Sequence, residues 1–227
     1  MSDLAAYFSL VKAHPELFSN PPGAGFEILL EEPDIRRAEE YMAEQLKASG
    51  APVEWAEVGV AFQDQYVTIL RDAVRFADGS LGTYIRGVSP EDSFVGVVTL
   101  PVWRGQVLLI RHFRHATRNW HLELPRGFGV AADPQESARR ELAEEIGATD
   151  VQLTKLGESY PNSGLDCSRV AFFYAEVGAF GQPERREGIT EILPTPLTEF
   201  ERMIRDGELH DGFLVTAYGF AKAGGLV

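Results

Sequence analysis

Residues 122–147 constrain the fold more than any other part of the chain, because they combine a strand pattern, a glycine-containing turn and a short helix. Asp133 suits the N-cap of that helix and Pro134 suits its first position. Gly147 suits the residue just past the last helical turn. The segment therefore predicts a strand, a loop and a helix that ends sharply, which must pack together as one unit.

The predicted helix carries an unusual acidic face. Glu141, Glu144 and Glu145 recur at i, i+3 and i+4, which places them on one side of a helix. Like charges four residues apart cost about 0.2–0.5 kcal/mol in an isolated helix, so stability alone does not explain them. Clustered carboxylates are hard oxygen ligands for a divalent cation. The alternative, a solvated acidic surface, is less favoured because of the strand and turn upstream. An apolar stripe on the other side would anchor the helix: Ala138, Leu142 and Ile146.

This segment resembles the Nudix box, the signature of the Nudix hydrolases. After Gly127, residues 140–148 read Arg-Glu-Leu-Ala-Glu-Glu-Ile-Gly-Ala, which matches the second half of the family pattern R-E-U-x-E-E-x-G-U, where U is aliphatic. The first half departs from the pattern, because Gly127 lies one residue too close to Arg140. The glutamate of the first half falls on Ala132 or Asp133, depending on the end from which one counts.

The resemblance implies an α/β (α+β) fold, the Nudix α/β/α sandwich with a mixed sheet. It also implies a Mg²⁺ cofactor, with Mn²⁺ as a substitute. The implied metal ligands are Glu141, Glu144, Glu145 and the backbone carbonyl of Arg126. Glu144 and Glu145 are accordingly candidate catalytic residues, together with Arg140, which would orient a glutamate through a charged hydrogen bond. The alternative for Arg140 is an exposed arginine paired with Glu136.

Substrate-binding candidates lie just before this segment, where three arginines and two histidines form a basic cluster: Arg111, His112, Arg114, His115 and Arg118. Arginine suits phosphate recognition because its guanidinium can donate two parallel hydrogen bonds. Resemblance to the ADP-ribose pyrophosphatases assigns Arg114 to the diphosphate, with Arg111 and Glu123 as further substrate-binding candidates. We assign both histidines to structural roles.

The same resemblance implies a general base in a loop before the last strand. Glu187 is the first candidate there and Glu184 the second, and a solvated charged loop is the alternative. ADP-ribose pyrophosphatases also carry a proline at the position of Ser163. Here the nearest proline is Pro161, so the resemblance leaves the substrate open.

Composition limits the classes of partner. The net charge of −13 argues against nonspecific binding of nucleic acid, which needs a basic surface. A single cysteine excludes an internal disulfide and fits a reducing compartment. The N-terminus shows no signal-peptide pattern, and no apolar run is long enough to cross a bilayer. We therefore expect a cytoplasmic protein without membrane or nucleic-acid partners.

The chain has two parts that differ in their predicted secondary structure. Residues 1–58 carry two helical patterns and are predicted to form a mainly helical N-terminal extension, whereas residues 59–227, rich in strand patterns, are predicted to form the Nudix domain. Asp78-Gly79 predicts the turn of a hairpin over residues 66–86. Family resemblance implies a homodimer in which this hairpin crosses to the partner.

The expected reaction is Mg²⁺-dependent hydrolysis of the pyrophosphate bond in a nucleoside diphosphate linked to another moiety, such as ADP-ribose or a nucleotide sugar. The products would be a nucleoside monophosphate and a phosphorylated compound. A CDP-alcohol or dinucleoside pyrophosphatase is one alternative. A non-catalytic nucleotide-binding module is another, and the complete glutamate triplet argues against it.

Overall fold

The computed structural model of the chain describes residues 2–88, 96–128, 133–183 and 185–227. The fold divides into two compact units. The first unit comprises Met1–Glu91 together with Asn162–Cys167, and the second comprises Asp92–Pro161 and Ser168–Val227. Each unit has its own sheet.

Among its described residues the first unit has two α-helices and four strands, in chain order α1 Leu4–Ala13, β1 Phe26–Leu29, α2 Glu32–Ser49, β2 Gly59–Gln63, β3 Thr68–Phe76 and β4 Leu81–Val88. Strand β3 is the centre of an antiparallel sheet, with β4 along one edge and β1 and β2 along the other. The predicted hairpin is confirmed as β3 and β4, joined by a turn in which Gly79 has φ 83°. Both predicted N-terminal helices are also present.

A buried polar network joins α1 to this sheet. The hydroxyl of Tyr7 donates to Asp72 Oδ1 at 2.6 Å, and Arg86 Nε donates to Asp72 Oδ2 at 2.5 Å. Tyr7 and Asp72 are 0% and 2% exposed. The Arg86 guanidinium also lies over the ring of Phe18, 5.2 Å from its centroid. The core of the first unit is therefore apolar around one fully paired carboxylate.

Where the structure describes it, the second unit has seven strands and three α-helices, in chain order β5 Gly96–Trp103, β6 Gln106–Arg114, β7 Asn119–Glu123, β8 Arg126–Phe128, α3 Pro134–Ile146, β9 Thr149–Ser159, β10 Val170–Ala179, β11 Ile189–Pro196, α4 Leu197–Arg205 and α5 Gly212–Ala223. The main strand order is β11-β6-β5-β10-β9, with β7 paired to β6 and β8 paired to β5. Strands β5 and β10 are parallel and the other pairs are antiparallel, so the sheet is mixed.

The side chains of β6 alternate between two cores. Leu108 and Ile110 pack with Leu142 and Ile146 of α3 on one face. Leu109 packs with the residues of α4 and α5 on the opposite face. Helices thus cover both faces of the mixed sheet, and the predicted α/β/α sandwich is confirmed.

Helix α3 forms as its sequence predicts. The Asp133 side chain accepts a hydrogen bond from the Gln135 N–H at 2.9 Å, and Pro134 occupies the first helical position. Gly147 ends the helix with φ 60°, a left-handed conformation that glycine adopts without strain. The apolar stripe at Ala138, Leu142 and Ile146 is fully buried. Its acidic side is therefore held in a fixed orientation.

The first unit differs in extent from the N-terminal segment expected from the sequence. It continues past residue 58 to Glu91 and adds a four-stranded sheet to its helices. The boundary between residues 58 and 59 stays a prediction about folding domains. Among the residues that the structure describes, no helix is both long and apolar enough to cross a membrane.

Candidate functional site

The acidic face of α3 meets the backbone of β8. Glu145 is 2% exposed, and its Oε2 accepts a hydrogen bond from the Arg126 backbone N–H at 2.9 Å. The pKa of Glu145 is raised to about 8; burial is the largest cause, the charges of Glu141 and Glu187 act in the same direction, and the Arg126 hydrogen bond offsets part of the rise. A carboxylate in this position is costly to ionise without a nearby cation.

Gly127 of β8 leaves the space that the Glu141 carboxylate occupies beside this strand. A Cβ atom on Gly127 would overlap the Glu141 carboxylate, so the absence of a side chain is what allows this approach. Glu141 Oε1 accepts a hydrogen bond from Arg140 Nη2 at 2.7 Å, and the same nitrogen donates to the Phe128 carbonyl at 3.1 Å. Burial raises the pKa of Glu141, partly offset by Arg140. Arg140 thus contacts a glutamate of the acidic face, and its role in orienting that glutamate for catalysis stays a prediction.

Glu144 differs from its two neighbours because its side chain is 59% exposed. Its Oε2 lies 3.6 Å from Arg140 Nε. Arg140 therefore lies between two of the three predicted glutamates, and the alternative pairing with Glu136 is not formed as a direct contact. Glu144 is the member of the triplet best placed to meet a ligand arriving from solvent.

Glu123 ends β7 as a nearly fully buried carboxylate, 1% exposed, that holds two arginines. Arg114 Nε donates to Glu123 Oε2 at 2.8 Å, and Arg126 Nη2 lies 3.0 Å from the same oxygen. Arg114 Nη2 is also 2.6 Å from this oxygen, without hydrogen-bond geometry, and has no hydrogen-bond partner among the residues that the structure describes. Direct contact between Glu123 and substrate stays a prediction, and its burial favours a role in orienting Arg114.

Arg126 connects this cluster to α5. Its Nη1 lies 3.0 Å from Asp211 Oδ2, and its guanidinium lies 4.7 Å from the centroid of the Phe213 ring. Asp211 is also the N-cap of α5, since its Oδ1 accepts the Leu214 N–H at 2.9 Å. The strand that carries the proposed carbonyl ligand is thus tied to the helical layer on the opposite face of the sheet.

The 3₁₀ turn Arg185–Glu187 brings Glu187 close to the acidic face of α3. The charge of Glu187 raises the pKa of both Glu141 and Glu145, which shows that the three carboxylates share one electrostatic environment. His112 of β6 lies beside the same turn, since a Cβ atom on Gly188 would be 3.9 Å from His112 Nε2. The second base candidate, Glu184, lies outside the described residues.

Arg111 lies apart from this group. Alternation along β6 places it on the face of α4 and α5, whereas His112 and Arg114 follow Leu108 and Ile110 on the face of α3. Arg111 Nη1 is 3.6 Å from Glu191, and its guanidinium is 5.5 Å from the centroid of the Trp120 ring. It lines a pocket of about 280 Å³ whose wall also includes Asp211.

The donor chemistry of the site fits a divalent cation. Within the described part of the chain, no group of three or more His, Cys, Asp or Glu side chains is arranged to hold a metal ion by itself. Mg²⁺, however, binds through one or two carboxylates and keeps several waters. The charge of Glu141 raises the pKa of Glu145, so a cation between them would relieve a repulsion. Of the two positions for the first-half glutamate, Ala132 lies outside the described residues and Asp133 serves as a helix cap.

The fold and the site define a class: an α/β/α domain in which a short glycine-containing strand, β8, lies against the carboxylates of a single helix. Residues 93–207, half of the chain, match the sequence profile of the NUDIX domain. The chain belongs to the Nudix family of hydrolases. Its prediction as a Nudix enzyme is thereby confirmed.

Relatives of this chain are named as pyrophosphatases. It is 32% identical over 133 residues to a GDP-mannose pyrophosphatase of Yersinia enterocolitica, covering 54% of this chain and 70% of that one. It is 27% identical over 118 residues to an ADP-ribose pyrophosphatase of Bacillus subtilis, covering 50% of this chain and 63% of that one. The crystal structure of an ADP compounds hydrolase superposes with a TM-score of 0.62 at 22% identity, over 75% of this chain and 95% of that one.

Sequence reasoning missed the contact between Arg126 and Asp211. Asp211 could be identified as a helix cap, because it directly precedes Gly212–Ala223, but no local pattern links it to a residue so far upstream. It also missed the contact of His112 with the Glu187 turn. The alternation of apolar residues along β6 was the available signal for His112, since it places His112 on the face of α3.

Proposed function

We propose that the protein hydrolyses the pyrophosphate bond of a nucleoside diphosphate linked to a second moiety, namely ADP-ribose or a nucleotide sugar such as GDP-mannose. Mg²⁺ would be its cofactor, with Mn²⁺ as a substitute. Water adds to one phosphorus, the bridging P–O bond breaks and one proton is lost, giving a nucleoside monophosphate and a sugar phosphate. The names of the relatives support this choice of substrate class.

One observation carries the proposal: two carboxylates of the Nudix helix, Glu141 and Glu145, converge on the backbone of Arg126 and Gly127. Burying a carboxylate that is only partly compensated by hydrogen bonds lowers the stability of the fold. A role in binding a cation explains why the residue is a glutamate despite this cost. Glu141, Glu144, Glu145 and the Arg126 carbonyl would hold the metal. When bound, a divalent ion neutralises charge on the phosphoryl oxygens and lowers the pKa of bound water.

The protein's own groups would orient the substrate. Arg114 is fixed by Glu123, whose Oε2 lies against both its Nε and its Nη2, and its side chain is still 29% exposed, so the guanidinium suits a diphosphate oxygen. Arg140 would hold Glu141 in position. Glu187, in the same electrostatic environment as Glu141 and Glu145, would accept the proton of the attacking water.

The pocket beside Arg111 would receive the part of the substrate beyond the diphosphate. Trp120 offers an aromatic surface and Asp211 a carboxylate for a hydroxyl or amino group. Asp211 also binds Arg126. A ligand that contacts Asp211 in this pocket would therefore alter the Asp211–Arg126 contact, and Arg126 carries the proposed carbonyl ligand. Arg111 would then contact the substrate away from the metal.

The test is a substrate panel with and without Mg²⁺ and Mn²⁺. It includes ADP-ribose, GDP-mannose, a CDP-alcohol and a dinucleoside polyphosphate, with products separated by chromatography and identified by mass. We expect metal-dependent formation of AMP or GMP with the matching sugar phosphate. Preferred cleavage of the CDP-alcohol or the dinucleotide would favour the alternative enzymes. Tight ADP-ribose binding without product over hours would favour a non-catalytic module.

We also propose a homodimer and a cytoplasmic location. Apolar side chains on the β3–β4 hairpin and just before it support the dimer, since Tyr66 is 85% exposed and Ile85 is 42% exposed. The single cysteine supports a reducing compartment. Light scattering of the purified chain and localisation of a tagged chain test the two proposals separately.

A further inference from the structure

Arg126 is held from both faces of the sheet. Its backbone N–H donates to Glu145 Oε2 of α3 at 2.9 Å. Its guanidinium reaches the opposite layer, where Nη1 donates to Asp211 Oδ2 at 3.0 Å and the Phe213 ring centroid lies 4.7 Å away. The side chains of Arg126 and Asp211 are only 16% and 12% exposed, so solvent screens this ion pair weakly.

Strand β8 has few other anchors. It is three residues long, and among the described residues it pairs with β5 alone. Gly127 has no side chain, and Phe128 is 75% exposed. Arg126 is therefore the residue of β8 whose side chain is packed, and such a short strand with a central glycine is poorly ordered by its backbone alone.

Asp211 is fixed independently of Arg126. Its Oδ1 accepts the Leu214 N–H at 2.9 Å and caps α5, and Leu214 is fully buried in the core. A cap needs only one side-chain oxygen, which serine, threonine or asparagine also supplies. The second oxygen of Asp211 is the one that binds Arg126. The other partner of the guanidinium, Glu123, lies 3.0 Å from Nη2 and belongs to the segment just before β8.

We propose that Asp211 is a positioning residue for the metal site. Through the Arg126 guanidinium it fixes the backbone of β8 against Glu145, from the opposite face of the sheet. The inference rests on the proposed function, in which the Arg126 carbonyl is a metal ligand. Asp211 acts through Arg126 and does not contact the metal ion.

The test measures Mn²⁺ affinity by electron paramagnetic resonance in the absence of substrate, so that any contact of Asp211 with substrate does not enter. Asp211→Ser keeps a capping hydroxyl but is too short to reach Arg126. We expect it to bind Mn²⁺ about 10-fold more weakly, the lower end of the scale for residues that orient a metal ligand.

Two controls separate this effect from charge and from helix stability. Glu208→Gln removes a carboxylate from the wall of the same pocket, and Glu208 pairs with Arg202 rather than Arg126. Val215→Gly weakens α5 at an exposed position. Both variants should bind Mn²⁺ as the wild type does. A loss in either control equal to that in Asp211→Ser would overturn the inference.

A double-mutant cycle tests whether Asp211 acts through Arg126. Arg126→Met removes the guanidinium and keeps the backbone, so Asp211→Ser should add no further loss of Mn²⁺ affinity in that background. An equal loss in both backgrounds, or unchanged affinity in Asp211→Ser, overturns the inference alone. A wild-type protein that binds no Mn²⁺ overturns both the metal assignment and the inference.

Hydrogen exchange provides a readout that needs neither metal nor activity. In the metal-free protein we expect Asp211→Ser to speed amide exchange in residues 126–128, with no change there in Glu208→Gln or Val215→Gly. Unchanged exchange of β8 in Asp211→Ser would overturn the inference even if Mn²⁺ affinity fell, because the strand would then be fixed without Asp211.

Discussion

At the scale of single residues, Glu145 shows the clearest conflict between stability and chemistry. Its carboxyl is buried and lies in the field of Glu141 and Glu187, which raises its pKa. A glutamine of nearly the same volume removes the charge but can still accept the Arg126 N–H bond. The wild-type residue is therefore more costly to the fold than its amide would be, which is typical of a side chain kept for function.

We accordingly expect Glu145→Gln to lower kcat by about 10²-fold or more, the scale for losing a charged contact at the reacting group. The free energy of unfolding should stay constant or rise, because desolvation of a carboxylate is avoided. Steady-state turnover and urea unfolding measure the two effects. Glu136→Gln, exposed on the first turn of the same helix, should change neither. Wild-type turnover in Glu145→Gln would remove the metal assignment.

Gly127 provides a second test at this scale. An alanine there would displace the flexible end of Glu141 rather than strain the backbone, because the φ of Gly127 is not positive. We expect Gly127→Ala to fold normally but to bind Mn²⁺ about 10–100-fold more weakly, as when a ligand is misoriented. Electron paramagnetic resonance of bound Mn²⁺ gives the affinity. Gly219→Ala, where a Cβ meets open space, is the control.

At the scale of elements, the Tyr7–Asp72 hydrogen bond links helix α1 to the sheet of the first unit. Burial raises the pKa of Tyr7, and the charge of Asp72 and the hydrogen bond to it act in the same direction. Folded Tyr7 therefore stays neutral at a pH where an unfolded tyrosine, with a pKa of about 10, ionises. Its contribution to stability is complete below pH about 10 and is lost progressively as the pH rises above that value.

Tyr7→Phe should lower the free energy of unfolding of the first unit by about 1–3 kcal/mol at neutral pH, because Asp72 loses a buried donor. Above pH about 10 the variant should lose stability less steeply than the wild type, by up to about 1.4 kcal/mol per pH unit. Urea unfolding at pH 8 and pH 10.5 checks both expectations. Tyr41→Phe, at a tyrosine of α2 that is 45% exposed, should behave as the wild type. An equal pH dependence in Tyr7→Phe would contradict the assignment.

Elements also differ in how well their sequence predicts them. Helix α3 was predictable because its cap, its apolar stripe and its terminal glycine are all local signals. The sequence predicts a turn at residues 126–128, whereas the structure has strand β8 there, because pairing with β5 extends three residues with a central glycine. The contacts of Arg126 with Asp211, and of His112 with the Glu187 turn, depend on strand register and on packing across the sheet. No window of sequence contains that information.

At the scale of the whole molecule, the net charge disfavours the proposed dimer, whereas the exposed apolar surface of the hairpin favours it. Each chain carries −13, so a dimer concentrates twice that charge and repels itself. Salt at about 0.1 M screens charges beyond about 10 Å, whereas apolar contacts between the hairpins do not weaken with salt. Added salt should therefore strengthen the association of two chains.

We expect the dimer fraction at a fixed protein concentration to rise between about 20 mM and 300 mM NaCl, because the Debye length shrinks severalfold over this range. Tyr66→Ser and Ile85→Thr remove exposed apolar surface from the hairpin without changing the charge, and should lower the dimer fraction at every salt concentration. Val215→Thr, at an exposed apolar residue of α5, is the charge-neutral control. Size-exclusion chromatography with light scattering measures the mass. A monomer under all conditions, or equal dissociation in the control, would contradict an interface at the hairpin.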